Sequence, residues 1–271
     1  ISSLLLKLTL PAMIIDSMQK PFTTELLKQS GTILFTSTLV YGVSYVFSGL
    51  MIRALKTPVE ERGIFRFALM FSNVGFMGYP VVAAVLGQDA IFFTAIYNLP
   101  FHLLLFTLGV LLLTRNSKEK VRARWSMLVN PAVISVFIGF FLFISSWKLP
   151  SVVAISLHQI GGLTSPLSML LIGSMLASSK ISEIFGNWRL YSISIIRLVM
   201  IPTLVWAGLK LFGSSALMLG VPVVIAAMPI AANAAILAEE YDANSKLASQ
   251  AVFISTLLSI VTIPLMVYLL F

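Results

Sequence analysis

Long apolar runs follow one another along this chain, separated by short polar stretches. A membrane-crossing helix needs about 20 mostly apolar residues, and nine runs approach or reach that length: 2–18, 31–52, 67–88, 90–114, 125–147, 150–179, 189–209, 214–238 and 247–271. The first is short and holds Lys7 and Asp16. The seventh holds Arg197, and the other seven contain no Asp, Glu, Lys or Arg. The pattern predicts an all-α polytopic membrane protein.

Basic residues set the orientation. The 115–124 stretch carries Arg115, Lys118, Lys120, Arg122 and Arg124 against one acid, and the positive-inside rule places it in the cytoplasm. Alternating from there, Arg53, Lys56, Arg62, Arg66, Lys180, Arg189 and Lys246 also fall inside, whereas Lys20, Lys28, Lys148 and Lys210 fall outside. Twelve against four is a consistent assignment. It puts the C-terminus outside and makes the protein a multi-pass component of the cell (plasma or inner) membrane.

The chain also repeats itself. Leu8-Thr9-Leu10-Pro11 in the first run matches Leu163-Thr164-Ser165-Pro166 in the sixth. Two spans after each lies a small-residue helix with a central proline, Pro80 in 67–88 and Pro229 in 214–238; the proline spacings are 69 and 63 residues. Partners five spans apart cross the membrane in opposite senses, the signature of an inverted-topology repeat. Two five-helix units make ten helices, and nine are present. The expectation is therefore one further helix before Ile1, the partner of 125–147. The units are 1–114 (helices two to five of the first repeat), the cytoplasmic loop 115–124, and 125–271 (the second repeat).

Composition narrows the class. Only 10% of the 271 residues are charged and 58% are hydrophobic, against roughly a quarter charged in soluble domains. The net charge of +8 lies in loops between apolar runs, which fits orientation and anionic headgroups rather than nucleic acid. With no cysteine there is no disulfide framework and no thiolate site. The absence of HExxH, GxSxG and phosphate-binding glycine loops argues against an enzyme, and no cofactor is expected.

Candidate chemistry gathers at the two prolines. In Asn73-Val-Gly75-Phe-Met-Gly78-Tyr-Pro80 and Met228-Pro229-Ile-Ala-Ala-Asn233, proline removes a backbone donor and glycine weakens the helix. These are either ordinary kinks or paired breaks. Matched breaks in two halves point to a midplane site, where half-helix N-termini offer free N–H groups to an anion. The amides of Asn73, Asn98 and Asn233 lie inside spans, where they bind substrate or hold helices together. Ser255 and Thr256 occupy about the place of Asn98 and are candidates for ion coupling, although small hydroxyls often satisfy their own helix. Arg197 is either functional or snorkels to the headgroups. His102 and His158 read as packing or interface residues.

The stretch 73–80 with Tyr97-Asn98, and the stretches 228–233, 238–242 and 255–264, resemble the auxin efflux carrier family of membrane transporters over essentially the whole chain; the short 115–124 loop resembles bacterial members. The resemblance implies two inverted five-helix repeats whose broken helices cross at Pro80 and Pro229. It further implies a scaffold of 2–18, 125–147 and 150–179, a mobile remainder, elevator-like alternating access and a homodimer. The implied substrates are small organic anions, held near Asn73, Gly75, Gly78, Pro80, Asn98, Met228, Pro229 and Asn233. Sodium or proton coupling stays open, with sodium as in the architecturally similar bile acid symporters. The rival readings are a transporter-fold sensor of a lipid or sterol, and a channel.

Overall fold

The structure, a computed structural model, describes residues 1–114, 131–177, 187–211, 216–241 and 243–270. The 115–124 loop, whose charges orient the chain, lies outside the described residues, as do 125–130 and Asp242. Eleven helices are distinguished here. They are α1 (2–17), α2 (Thr24–Ala54), α3 (Arg62–Met70), α4 (Val74–Leu86), α5 (Asp89–Leu113) and α6 (Pro131–Ser145), then α7 (Ser151–Ser174), α8 (Trp188–Leu211), α9 (Ala216–Ala226), α10 (Asn233–Glu240) and α11 (Ser245–Leu270). Of these, α2, α5, α7, α8 and α11 are long and apolar enough to cross a membrane. The runs 67–88 and 214–238 are not single spans. Each is divided, at 71–73 and at 227–232.

The amphipathic order of a soluble helix is reversed in α2. Ser30, Thr36, Ser37, Ser44 and Ser48 are buried, while Phe35, Val43 and Val46 are largely exposed. Water would penalise that arrangement. In hydrocarbon it is the economical one, because lipid solvates the apolar face and small polar residues pack and hydrogen-bond between helices. Ser37, for example, donates to the Tyr97 carbonyl of α5 at 2.6 Å.

Three prolines leave a local signature. The widened π-turns Leu5–Thr9, Val74–Gly78 and Ile196–Met200 each end two residues before a proline: Pro11, Pro80 and Pro202. In each, the residue just before the proline donates its N–H five residues back, Leu10 to Leu5, Tyr79 to Val74 and Ile201 to Ile196. The proline ring would clash with the carbonyl four residues earlier. One wider turn relieves that clash without ending the helix.

Helix α1 packs mainly against α6 and α7, whereas the other helices pack mainly on one another. The α1–α7 crossing is tight: a Cβ on Gly161 would lie 2.8 Å from Met13 Cα. Neighbouring Gly162 has nothing within 4 Å. Gly161→Ala should therefore destabilise by about 1–3 kcal/mol through overpacking. Gly162→Ala should be neutral or stabilising by up to about 1 kcal/mol from helix propensity. Thermal melts of the two purified variants test this; equal melting temperatures would refute the tight crossing.

Candidate functional site

The two divided runs meet. After α3 the chain extends through Phe71, Ser72 and Asn73 and pairs antiparallel with Pro229, Ile230 and Ala231. The Asn73 N–H donates to the Pro229 carbonyl at 2.8 Å, and the Ala231 N–H donates to the Phe71 carbonyl at 3.0 Å. The Ile230 N–H donates sideways to Ser255 Oγ of α11 at 3.1 Å. Pro229 has no N–H to place. Extended backbone is costly in a membrane unless its polar groups find partners within the protein, and here each break supplies them to the other.

The helix ends at the crossing are also served. Asn73 caps α4: its Oδ1 accepts from the Phe76 N–H at 3.4 Å, and its carbonyl accepts from Met77 and Gly78. The C-terminal end of α3 meets Arg197, whose Nη1 donates to the Leu69 carbonyl at 3.2 Å. Arg197 is only 2% exposed. It does not snorkel. Its guanidinium sits at the negative end of a helix dipole inside the protein.

Beside the crossing lies a cavity of about 220 Å³, below the roughly 300–1,000 Å³ of pockets for drug-sized ligands. Asn73, Val74, Gly75 and Phe76 reach it from the N-terminus of α4, and Ala231 and Asn233 from the approach to α10. Asn98, Phe101, His102 and Phe106 line it from α5, Leu6, Lys7 and Leu10 from α1, and Pro131 and Ala132 from α6. Asn98 is buried, and its Oδ1 has no partner at hydrogen-bond distance; its Nδ2 lies 3.2 Å from His102 Nε2, with the donor set by the imidazole tautomer.

Of the residues singled out from sequence, Asn73, Gly75, Asn98 and Asn233 come together around this cavity. Gly78, Pro80, Met228, Pro229, Ser255 and Thr256 do not line it. Gly78 leaves room for the Val74 side chain one turn earlier in α4, whose Cγ1 would lie 3.0 Å from an added Cβ, and Pro80 shapes the widened turn. Ser255 secures Ile230, and Thr256 donates to the Val252 carbonyl of its own helix at 2.7 Å. Sequence reasoning assigned no site role to Lys7 or His102. The signals were present: His102 follows Asn98 by four residues and Lys7 precedes Pro11 by four, so each shares a helix face with a residue already of interest.

A family model described as a membrane transport protein matches residues 1–267. This is the auxin efflux carrier family that the sequence motifs resemble. The chain belongs to that family. Its similarity to individual transporters is lower but extensive. Over 200 residues it is 31% identical to an "Uncharacterized transporter" of Methanothermobacter thermautotrophicus, covering 73% of this chain and 65% of the relative. A second "Uncharacterized transporter", from Methanocaldococcus jannaschii, is 26% identical over 86% of this chain and 76% of its own length. A "Putative malonate transporter" of Rhizobium meliloti is 23% identical over 99% of this chain and 86% of its own length. Family membership and the apolar helices together make the chain an integral membrane protein.

The geometry of this transport protein separates two neighbouring hydroxyls. Ser255→Ala removes the acceptor of a buried backbone N–H and should cost about 1–3 kcal/mol, seen as a lower melting temperature. Thr256→Val keeps the shape and removes only a bond to its own helix, so its melting temperature should stay near wild type. Equal effects would refute the bridging role of Ser255.

Proposed function

We propose that this membrane transport protein is a secondary carrier of small organic anions, carboxylates foremost, that bind in the cavity beside the helix crossing. One observation carries the reading: the N-terminus of α4 and the start of α10 border a small cavity that also receives three amides and one lysine. Half-helix N-termini favour an anion through their dipoles and N–H groups. Asn73, Asn98 and Asn233 give directional hydrogen bonds, and Lys7 adds a full positive charge at the rim. The cavity's size suits a short mono- or dicarboxylate, in keeping with the name of the Rhizobium meliloti relative.

Transport follows an elevator-like alternating access, with α1, α6 and α7 as scaffold and the other helices moving as a body within a homodimer. The chain is built as two inverted repeats, 1–114 and 125–271, each contributing helices to both bodies, with α4 and α10 at the matched breaks. An ion pair spans the boundary: Lys20, just after α1, meets Asp89 at the start of α5 at 2.6 Å. With the cavity bordered by Phe106 and Pro131, which the charge-based orientation places toward the cytoplasm, this pair closes the outer side of an inward-facing state. Among the described residues no carboxylate lines the cavity, so the coupling ion, sodium or proton, is read from flux under each gradient.

Purified protein in liposomes should take up labelled malonate saturably and show counterflow. Lys7→Gln and Asn98→Ala should each raise the half-saturation concentration about 10- to 100-fold, the equivalent of losing roughly 1.5–3 kcal/mol of charge-assisted hydrogen bonding. Size-exclusion profiles should stay unchanged. Non-saturating flux would indicate a channel, and binding without flux a sensor. Wild-type kinetics in both variants would refute the site.

A further inference from the structure

A second charged cavity lies away from the crossing, at the end of α2. It measures about 150 Å³ and is lined by Gly49, Ile52 and Arg53 of α2 and by Arg62 and Arg66 of α3. Three arginines thus line one small space. Arg66 is held in place: its Nη2 donates to the Tyr45 carbonyl at 3.3 Å, and its guanidinium carbon lies 4.3 Å from the centre of the Tyr45 ring. Its Nε is buried with no partner. Arg62 is anchored by Nε donation to the Thr57 carbonyl at 3.0 Å. Gly49 sits beside Arg66, and a Cβ built there would make an ordinary contact of 3.8 Å with Arg66 Nη2.

The neighbouring acids do not neutralise this cluster. Glu61 accepts from Asn187 Nδ2 at 3.4 Å, and Glu60 is exposed. Among the described residues the ion pairs seen are Lys20–Asp89 and His158–Asp16, so no carboxylate forms an ion pair with these arginines. Three like charges set close together repel one another. Fixed arginine forks match the tetrahedral oxygens of phosphate better than lysines do.

The surface beside the cavity indicates where the phosphate comes from. Phe35, Leu39, Val43, Val46 and Leu50 are all exposed, and their spacing of three or four residues puts them in one stripe along α2. The next position on that stripe is Arg53, at the cavity. An acyl chain lying on the stripe would bring its headgroup to the arginines, and basic pockets between membrane helices do bind acidic headgroups.

We propose that Arg53, Arg62 and Arg66 form a phosphate-binding site, separate from the transport cavity, that takes the headgroup of an anionic phospholipid. The proposal does not depend on the substrate reading. It is tested by thermal-shift titration of the purified protein in detergent with short-chain phosphatidylglycerol, short-chain phosphatidylcholine and inorganic phosphate. Phosphatidylglycerol should stabilise the wild type at lower concentration than phosphatidylcholine. Arg53→Gln should weaken the phosphatidylglycerol effect about fivefold, and Arg53→Lys should recover part of it. Among the described residues the Arg53 side chain makes no hydrogen bond, so the unliganded variant should melt as the wild type does. Gly49→Leu, which fills the cavity and keeps every charge, provides a second test and should also abolish the preference. An Arg53-dependent response to inorganic phosphate but not to phosphatidylglycerol would keep the phosphate site and overturn the lipid as its source. Equal phosphatidylglycerol responses in wild type, Arg53→Gln and Gly49→Leu would overturn the site itself.

Discussion

A peptide group left unpaired in hydrocarbon costs several kcal/mol, and the chain interrupts its helices twice where such groups are least welcome. The interruption is tolerated because the two breaks pair with each other. Two backbone bonds between 71–73 and 229–231, with Ser255 supplying a third acceptor, replace what the helices give up. Neither break is self-sufficient. Once paired, they bring helix starts belonging to distant parts of the sequence to one cavity, so the same pairing serves both stability and site.

The charges near the crossing follow from that arrangement. A helix that stops inside the protein exposes carbonyls at its C-terminus and amides at its N-terminus. Arg197 meets the carbonyls of α3, while the Asn73 side chain occupies part of the amide end of α4. What is left at the amide ends is a partial positive field bordering a cavity whose rim carries Lys7. The buried arginine is thus a structural counterpart of the break, and the exposed Lys7 is a cation bordering the cavity.

Elsewhere the fold reconciles polarity with lipid by turning it inward. In α2 Ser30, Thr36, Ser37, Ser44 and Ser48 are buried, while Phe35, Val43 and Val46 face out. The three prolines preceded by widened turns show the same economy. Each proline is accommodated inside a continuing helix, because the N–H just before it bonds five residues back.

The approximate bounds of the long helices were legible because crossing lipid requires a long apolar run, whatever the tertiary context. The run read as 90–114 is the helix Asp89–Leu113, and 189–209 is Trp188–Leu211. That the runs 67–88 and 214–238 are each interrupted was legible too, but in the first the interruption lies at 71–73, ahead of Pro80, which only widens a turn inside α4. The rest depended on distance in space. That Phe71 would pair with Ala231, that Ser255 would serve a backbone amide, and that Arg197 would cap α3 are contacts between residues 25 to 160 positions apart. Hydropathy and spacing carry no record of such contacts. Lys7 shows the division best: one charge in a short apolar run says only that it must find water or an anion, and only the packing of α1 against the crossing decides which cavity it borders.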